Sequence, residues 1–249
     1  MNPILSVKGI SIQFGALKAV QDVSFEAQPG KITAVIGPNG AGKSSLFNLI
    51  SGAIHPSSGS VRFDREDVTG RAPHQLLRYG LSRSFQITNL FFELPVRENL
   101  RLAAQFLEQG RGLFRPLARS QTAAARVDEL LEQFDLRNKA DELAGYLSHG
   151  EQRRLEIAVS LASRPRMLLL DEPTQGMSHG DTRETEALIR GLSRNHGLSI
   201  LLVEHDVDLV MQLSDFVVVM HQGQKLAEGT PAEVRANPAV QSAYFGEKL

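Results

Sequence analysis

Apolar and polar positions alternate from Val7 to Phe14 and again from Val20 to Phe25, the period of two that a half-buried strand requires. Gly15 lies between these stretches, so the pattern predicts an antiparallel opening joined by a short turn. Lys31-Ile-Thr-Ala-Val-Ile-Gly37 is instead a continuous apolar run of the buried-strand type. It leads into a glycine-rich loop and a helical stretch, Ser44-Ser-Leu-Phe-Asn-Leu-Ile-Ser-Gly52, for which Gly52 is a natural stop. From about Pro95 to Ser163 leucine, alanine, arginine, glutamate and glutamine dominate with no convincing strand, which predicts an all-helical insertion. Strands return at Met167 to Leu170, Ser199 to Val203 and Phe216 to Met220, with a helix from about Thr182 to Ser193 between the first two. That βαβ alternation predicts an α/β protein with helices packed on a parallel sheet.

Composition narrows the picture only slightly. A chain of 249 residues can bury a full core. Its 27 basic residues nearly cancel 28 acidic ones, so no basic excess points to a nucleic-acid partner. The absence of cysteine removes disulfide and thiolate chemistry, which suits a reducing cytosol. The opening MNPILSVKGISIQF lacks the basic end and apolar stretch of a signal peptide, so the chain is expected to stay where it is made. Its apolar runs fall far short of the roughly 20 residues needed to cross a bilayer. A membrane role would therefore come through a partner.

The chemistry concentrates in three places. Gly37-Pro38-Asn39-Gly40-Ala41-Gly42-Lys43-Ser44 fits G-x-x-x-x-G-K-[ST] and lies between a predicted strand and a predicted helix, the setting that a phosphate loop requires. Its glycines let backbone N–H groups curl around phosphate oxygens, the helix N-terminus adds positive potential, Lys43 supplies charge for the β- and γ-phosphates, and Ser44 can ligate Mg²⁺. The run Met167 to Leu170 ends in Asp171-Glu172. Asp171 is placed to serve the metal, and Glu172 to orient or deprotonate an attacking water. Ser199 to Val203 ends in Glu204-His205-Asp206, which brings a histidine to the same sheet edge, either as a γ-phosphate sensor or as a structural residue.

Taken in order, GPNGAGKSS, Phe85-Gln86, Leu147-Ser148-His149-Gly150-Glu151-Gln152, MLLLDEP and VEHD resemble the motifs of ABC-transporter ATP-binding subunits over essentially the whole chain. The resemblance implies a P-loop NTPase (RecA-like) core with an antiparallel β subdomain and an inserted α-helical subdomain, one cassette over residues 1–249 with the insertion at about 95–163. It implies ATP and Mg²⁺ as cofactors. By this likeness Phe14 stacks on adenine, residues 37–45 from Gly37 to Ser45 hold the phosphates, and Gln86 lies near Mg²⁺ and the transporter contact. Ser44, Gln86 and Asp171 serve the metal, Glu172 is the catalytic base, and His205 is the switch histidine beside Lys43. Ser148, Gly150 and Glu151 grip the γ-phosphate of a second ATP-binding subunit, a copy of the chain or a sister. The remaining implied partners are two transmembrane permease subunits and, indirectly, a substrate-binding protein, with the chain peripheral on the cytoplasmic face of the membrane.

Arg83-Ser-Phe-Gln86, Leu147 through Ile157, Leu202 through Asp206 and the tail from Glu228 to Gly246 resemble more narrowly the ATPases of branched-chain amino-acid importers and their urea or amide relatives. An exporter ATPase, a soluble ABC ATPase and a cassette that no longer hydrolyses ATP are the rivals. One cassette with balanced charge weighs against the soluble class, VEHD and FQ against the exporter, and Glu172 with His205 against a degenerate cassette.

Two stretches, LSHGEQRR from Leu147 and MSHGDTRE from Met177, share Ser-His-Gly followed by an acid. Ser148 with Glu151 predicts a capping box, after which Leu155, Ala158, Val159 and Ala162 follow at helical spacing. His149 and Glu151 depart from the family's LSGGQ. In the second stretch Ser178 stands where the family's D-loop carries aspartate, and Ser178 with Asp181 again resembles a helix start. Arg111, Arg115 and Arg119 recur at helical spacing and read as a solvated face or a transporter contact.

Overall fold

The computed structural model describes residues 2–84, 90–108, 121–177 and 179–245. Strands β1 (Leu5–Phe14) and β2 (Leu17–Ala27) form the expected hairpin, with Phe14 opposite Leu17. Strand β3 (Ile32–Ile36) runs through the glycine loop into α1 (Lys43–Ile50), and Gly52 ends that segment in the left-handed region at φ 71°. There follow β4 (Ser58–Phe63), β5 (Glu66–Asp67), α2 (Pro73–Tyr79), β6 (Leu81–Arg83), α3 (Val96–Ala104), α4 (Gln121–Gln133) and α5 (His149–Leu161), with short 3-10 turns around α4. The chain closes with β7 (Met167–Asp171), α6 (His179–His196), β8 (Ser199–Val203), α7 (Val207–Leu213), β9 (Phe216–His221), β10 (Gln224–Gly229), α8 (Pro231–Ala236) and α9 (Pro238–Phe245).

Two sheets result. The larger has the order β10-β9-β3-β8-β7-β6 and is parallel except for the β9–β10 hairpin. The smaller, antiparallel sheet has the order β2-β1-β4-β5. Both faces of the parallel sheet are covered, which is why its strands read as continuous apolar runs. Alternate residues of one strand go to different cores. Ala34, Leu168 and Leu170 join α3, α4 and α5 residues such as Leu100, Leu130 and Leu155. Val35 and Leu169 instead face Leu5, Phe25 and Phe47 between the two sheets.

Strands β4, β5, β6 and β10 and helices α2, α7, α8 and α9 are additions to the sequence pattern. β6 has only three residues, too few for periodicity to register, and β10 shows little burial because it edges the sheet. Helix α6 starts and ends three residues beyond the expected Thr182 to Ser193. Among the described residues, 95–163 hold helices and 3-10 turns, with a single isolated bridge between Pro95 and Leu143. No helix of the described residues is long and apolar enough to cross a membrane.

Candidate functional site

The C-terminal ends of β3, β7 and β8 lie side by side in the parallel sheet, so their following residues share one edge. This edge is where open α/β sheets hold ligands. The loop after β3 is shaped by glycines that its surroundings demand. Gly42, at φ 95°, caps α1, and a Cβ there would sit 2.3 Å from the Ala19 carbonyl oxygen. A Cβ on Gly37 would lie 2.3 Å from the Met220 carbonyl oxygen, and Gly40 turns at φ 78° with open space around it. The Ala41 N–H donates to Pro38 O at 3.1 Å, and Ala41 O accepts from Gly223 N at 3.0 Å, so the loop is tied to itself and to the β9–β10 turn.

Lys43 is buried, and its Nζ donates to Gly37 O at 2.7 Å and Pro38 O at 3.1 Å. Burial pulls its pKa below the ordinary lysine value, opposed by the negative charges of Glu172 and Asp171. The lysine thus folds back across the loop that phosphates would fill. Asn39, Gly40 and Ser44 are exposed and Pro38 and Ser45 half-buried, an arrangement open to a ligand.

Asp171 ends β7, is buried, and has its carboxyl pushed above the ordinary range by burial, with Arg83 opposing the shift and Glu172 reinforcing it. Arg83 is the residue that the motifs alone did not assign. Its Nη2 lies 3.2 Å from Asp171 Oδ2, while Nη1 donates at 2.7 Å to both Asn48 Oδ1 of α1 and Ser51 Oγ at that helix's C-terminal cap. The guanidinium also stacks 4.8 Å from the Phe47 ring centroid. One cation therefore joins β6, the phosphate-loop helix and the carboxylate strand. Its place two residues before Phe85-Gln86 was the available signal.

Glu172 is half-buried and adopts φ 45°, a conformation that a non-glycine residue holds only when its surroundings fix it. Its N–H donates to Val203 O at 2.9 Å. On one side, Arg153 Nε of α5 donates to Pro173 O at 3.0 Å, and on the other Glu204 accepts from Thr174. His205 follows β8 with an exposed side chain, 56% accessible, at the same edge.

The predicted capping box is present. Glu151 N donates to Ser148 Oγ at 3.3 Å, and Ser148 N donates to Glu151 Oε2 at 2.8 Å. Those bonds, the backbone one first, hold the Glu151 carboxyl below its ordinary range against the opposing effect of burial. Leu155 and Ala158 are buried as their spacing required, and Ala162 caps the helix. Gly150 faces the other Ser-His-Gly stretch directly, because a Cβ there would sit 2.8 Å from Asp181 Oδ1. The two stretches are thus neighbours in space, a relation invisible in their sequences. Phe14 ends β1 with half its surface accessible, leaving a π-face available. Gln86, Ser178, Arg111, Arg115 and Arg119 lie outside the described residues.

The oxygen donors suit Mg²⁺. That ion typically takes one or two carboxylates, with waters and substrate phosphates completing an octahedron. Ser44 offers a hydroxyl on an exposed first turn, and Asp171 Oδ1 accepts no hydrogen bond among the described residues. No cluster of three or more acidic, histidine or cysteine ligands occurs among the described residues.

A strand, a glycine-rich phosphate loop, a helix and a carboxylate at the end of the next strand but one in the sheet define a P-loop nucleotide-binding protein. The chain belongs to the ABC transporter family, which it matches over residues 20–175, and residues 224–248 match the branched-chain amino acid ATP-binding cassette transporter family. It is 42% identical over 98% of both chains to the high-affinity branched-chain amino acid transport ATP-binding protein BraF of Pseudomonas aeruginosa. It is 41% identical, with the same coverage, to LivG of Escherichia coli, which bears the same description. Among solved structures, the ADP conformation of an ATP-binding cassette of an ABC transporter superposes with a TM-score of 0.86 at 32% identity, covering 99% of this chain and 100% of the other.

Proposed function

We propose that this chain is the ATP-hydrolysing subunit that energises an ABC importer of branched-chain amino acids. The observation that carries the assignment is the conjunction of a full-length likeness to BraF and LivG with a site edge that gathers Lys43, Asp171, Glu172 and His205. Within this reading, residues 37–45 hold the phosphates and Phe14 lies against adenine. Ser44, Asp171 and Gln86 hold Mg²⁺, which would neutralise charge on the β- and γ-phosphates.

Glu172 positions the attacking water as general base, and His205 faces the γ-phosphate. Lys43 exchanges its two carbonyl partners for phosphate oxygens, its ammonium stabilising charge that develops in flight. Ser148, Gly150 and Glu151 belong to the other half of the composite site, supplied by a second ATP-binding subunit. The capping box leaves the His149 and Gly150 N–H groups without a protein partner among the described residues, aligned with a helix N-terminus that favours anions. Closure of two subunits would then complete each site at the expense of bulk water.

The permease contact is supported by an apolar groove of about 420 Å³ between α2, β6, α3 and α5, lined by Leu76, Leu77, Leu81, Leu90, Ala103 and Val159. Phe91 and Phe92 follow Leu90 and remain 59% and 42% accessible. Adjoining apolar groove and exposed aromatics suit an amphipathic helix of a membrane partner, and in this reading the chain is peripheral on the cytoplasmic face. We also read residues 95–163 as a helical subdomain within one cassette.

Affinity purification of the tagged chain from native membranes tests the assignment. The expected result is recovery of two membrane subunits, and ATP turnover by the reconstituted complex that rises with a binding protein carrying leucine, isoleucine or valine. Stimulation by a urea- or amide-loaded binding protein instead would reassign the cargo, and recovery with ribosomes or DNA would reject the transport role.

A further inference from the structure

Strand β8 delivers Ser199 and four buried apolar residues, Ile200 to Val203, and then Glu204, whose surface is 0% exposed. A buried carboxylate is costly unless its oxygens are satisfied, and a hydrophobic side chain of similar volume would serve packing alone at least as well. Among the described residues Glu204 has no lysine or arginine partner. Its oxygens are instead divided between two segments. Oε1 accepts from Thr174 N at 3.1 Å and from Thr174 Oγ1 at 2.8 Å, while Oε2 accepts from His205 N at 3.2 Å. His205 Nδ1 stands 3.6 Å from Oε2, beyond hydrogen-bonding range. The Glu204 N–H reaches Val35 O of the phosphate-loop strand at 3.4 Å.

We infer that Glu204 is a positioning residue for ATP hydrolysis. It locks the segment after Glu172 to the segment that bears His205, so that the proposed base and the proposed γ-phosphate sensor move as one unit. The inference rests on the roles proposed for those two residues. Its chemistry is specific to a carboxylate. Thr174 presents two donors to one oxygen, and the His205 N–H presents a third donor to the other. A glutamine can accept at only one end, and its NH₂ would face a donor at whichever end it occupied. Glu172 already holds φ 45°, so releasing Thr174 frees a conformation that its neighbours now impose. Small displacements of a reacting group suffice to cost large factors in rate.

Glu204→Gln in the assembled, vesicle-reconstituted transporter is expected to lower kcat for ATP by about tenfold or more with KM within about twofold, and nucleotide affinity of the purified chain should be equally unchanged. Thr174→Val is expected to lower kcat by about threefold, and Thr174→Ser to restore it, since the serine hydroxyl keeps the donor. In the double variant with Glu204→Gln, the Thr174→Val loss should largely disappear, because both changes break one bond. Unchanged kcat in either single variant, with only the melting temperature lowered, would make Glu204 a packing residue. A raised KM at constant kcat would make it a binding residue. Should Glu204→Gln fail to fold, the Thr174 pair decides alone. A Glu172→Gln control separates the two readings: turnover surviving that change overturns the base assignment, whereas its loss beside an active Glu204→Gln overturns only the present inference.

Discussion

Two helix N-termini in this molecule offer themselves to phosphate, and they are built by opposite means. Around α1 and the loop that leads into it, almost every feature depends on distant chain. Ala19 and Met220 carbonyls exclude a side chain at Gly42 and Gly37, and Arg83 reaches from β6 to Asn48, Ser51 and Asp171. At the start of α5 the device is local, with Ser148 and Glu151 satisfying each other's backbone N–H groups. The first is held in shape by contacts with distant segments of the same chain. The second is self-capped and exposed, ready for a partner without needing one to remain folded. Changes in the first should therefore propagate, and changes in the second stay small.

The contrast is most exposed to failure at Arg83. Arg83→Ala leaves Asp171 buried without its cation, and should cost about 3–5 kcal/mol in urea-induced unfolding. A loss below 1 kcal/mol would mean that the phosphate-loop region is not knitted together as described. Glu172→Gln acts on chemistry instead of cohesion. Steady-state ATP turnover should fall about 100-fold or more, with unfolding barely altered and nucleotide binding retained. Gly42→Ala meets both an unfavourable φ and the Ala19 carbonyl. It should cost at least about 1–2 kcal/mol and weaken ATP binding measured by calorimetry.

The smallest effect belongs to the local site. Glu151→Ala should remove about 1 kcal/mol or less of stability, as the loss of half a capping box does. Because the Glu151 carboxyl is held below its ordinary range in the fold, its contribution is present in full above that range and is lost as pH falls through the lowered value. A denaturation series for wild type and Glu151→Ala should accordingly converge in acid. A difference that grew on acidification would contradict the cap.

Much of the nucleotide site could be read directly because its instructions are contiguous. Gly37 to Ser44 fixes both a loop and the helix that follows, and an apolar run closing on Asp171-Glu172 fixes a buried strand with acids at its end. The capping box at Ser148 is equally local. Arg83 and Glu204 were visible as letters inside motifs, yet no spacing could say that the guanidinium spans from β6 to α1 and β7, or that the carboxylate joins Thr174 to His205. Short edge elements such as β6 and β10 were missed for a related reason. Their existence depends on a neighbouring strand that supplies hydrogen bonds, more than on their own periodicity.

The pair of Ser-His-Gly stretches marks the boundary between what each level decided. Local chemistry alone accounts for the first as a capped helix start, since the partners lie within four consecutive residues. Only the packing of α5 against α6 brings Gly150 to Asp181, thirty-one positions along the chain. The sequence by itself determined the strongly patterned elements, the phosphate loop and the acids at the sheet edge, because backbone conformation and side-chain period are properties of neighbouring residues. Tertiary structure decided which buried charges meet and which glycines are indispensable, because burial, electrostatic pairing and steric exclusion depend on residues that the fold alone makes adjacent.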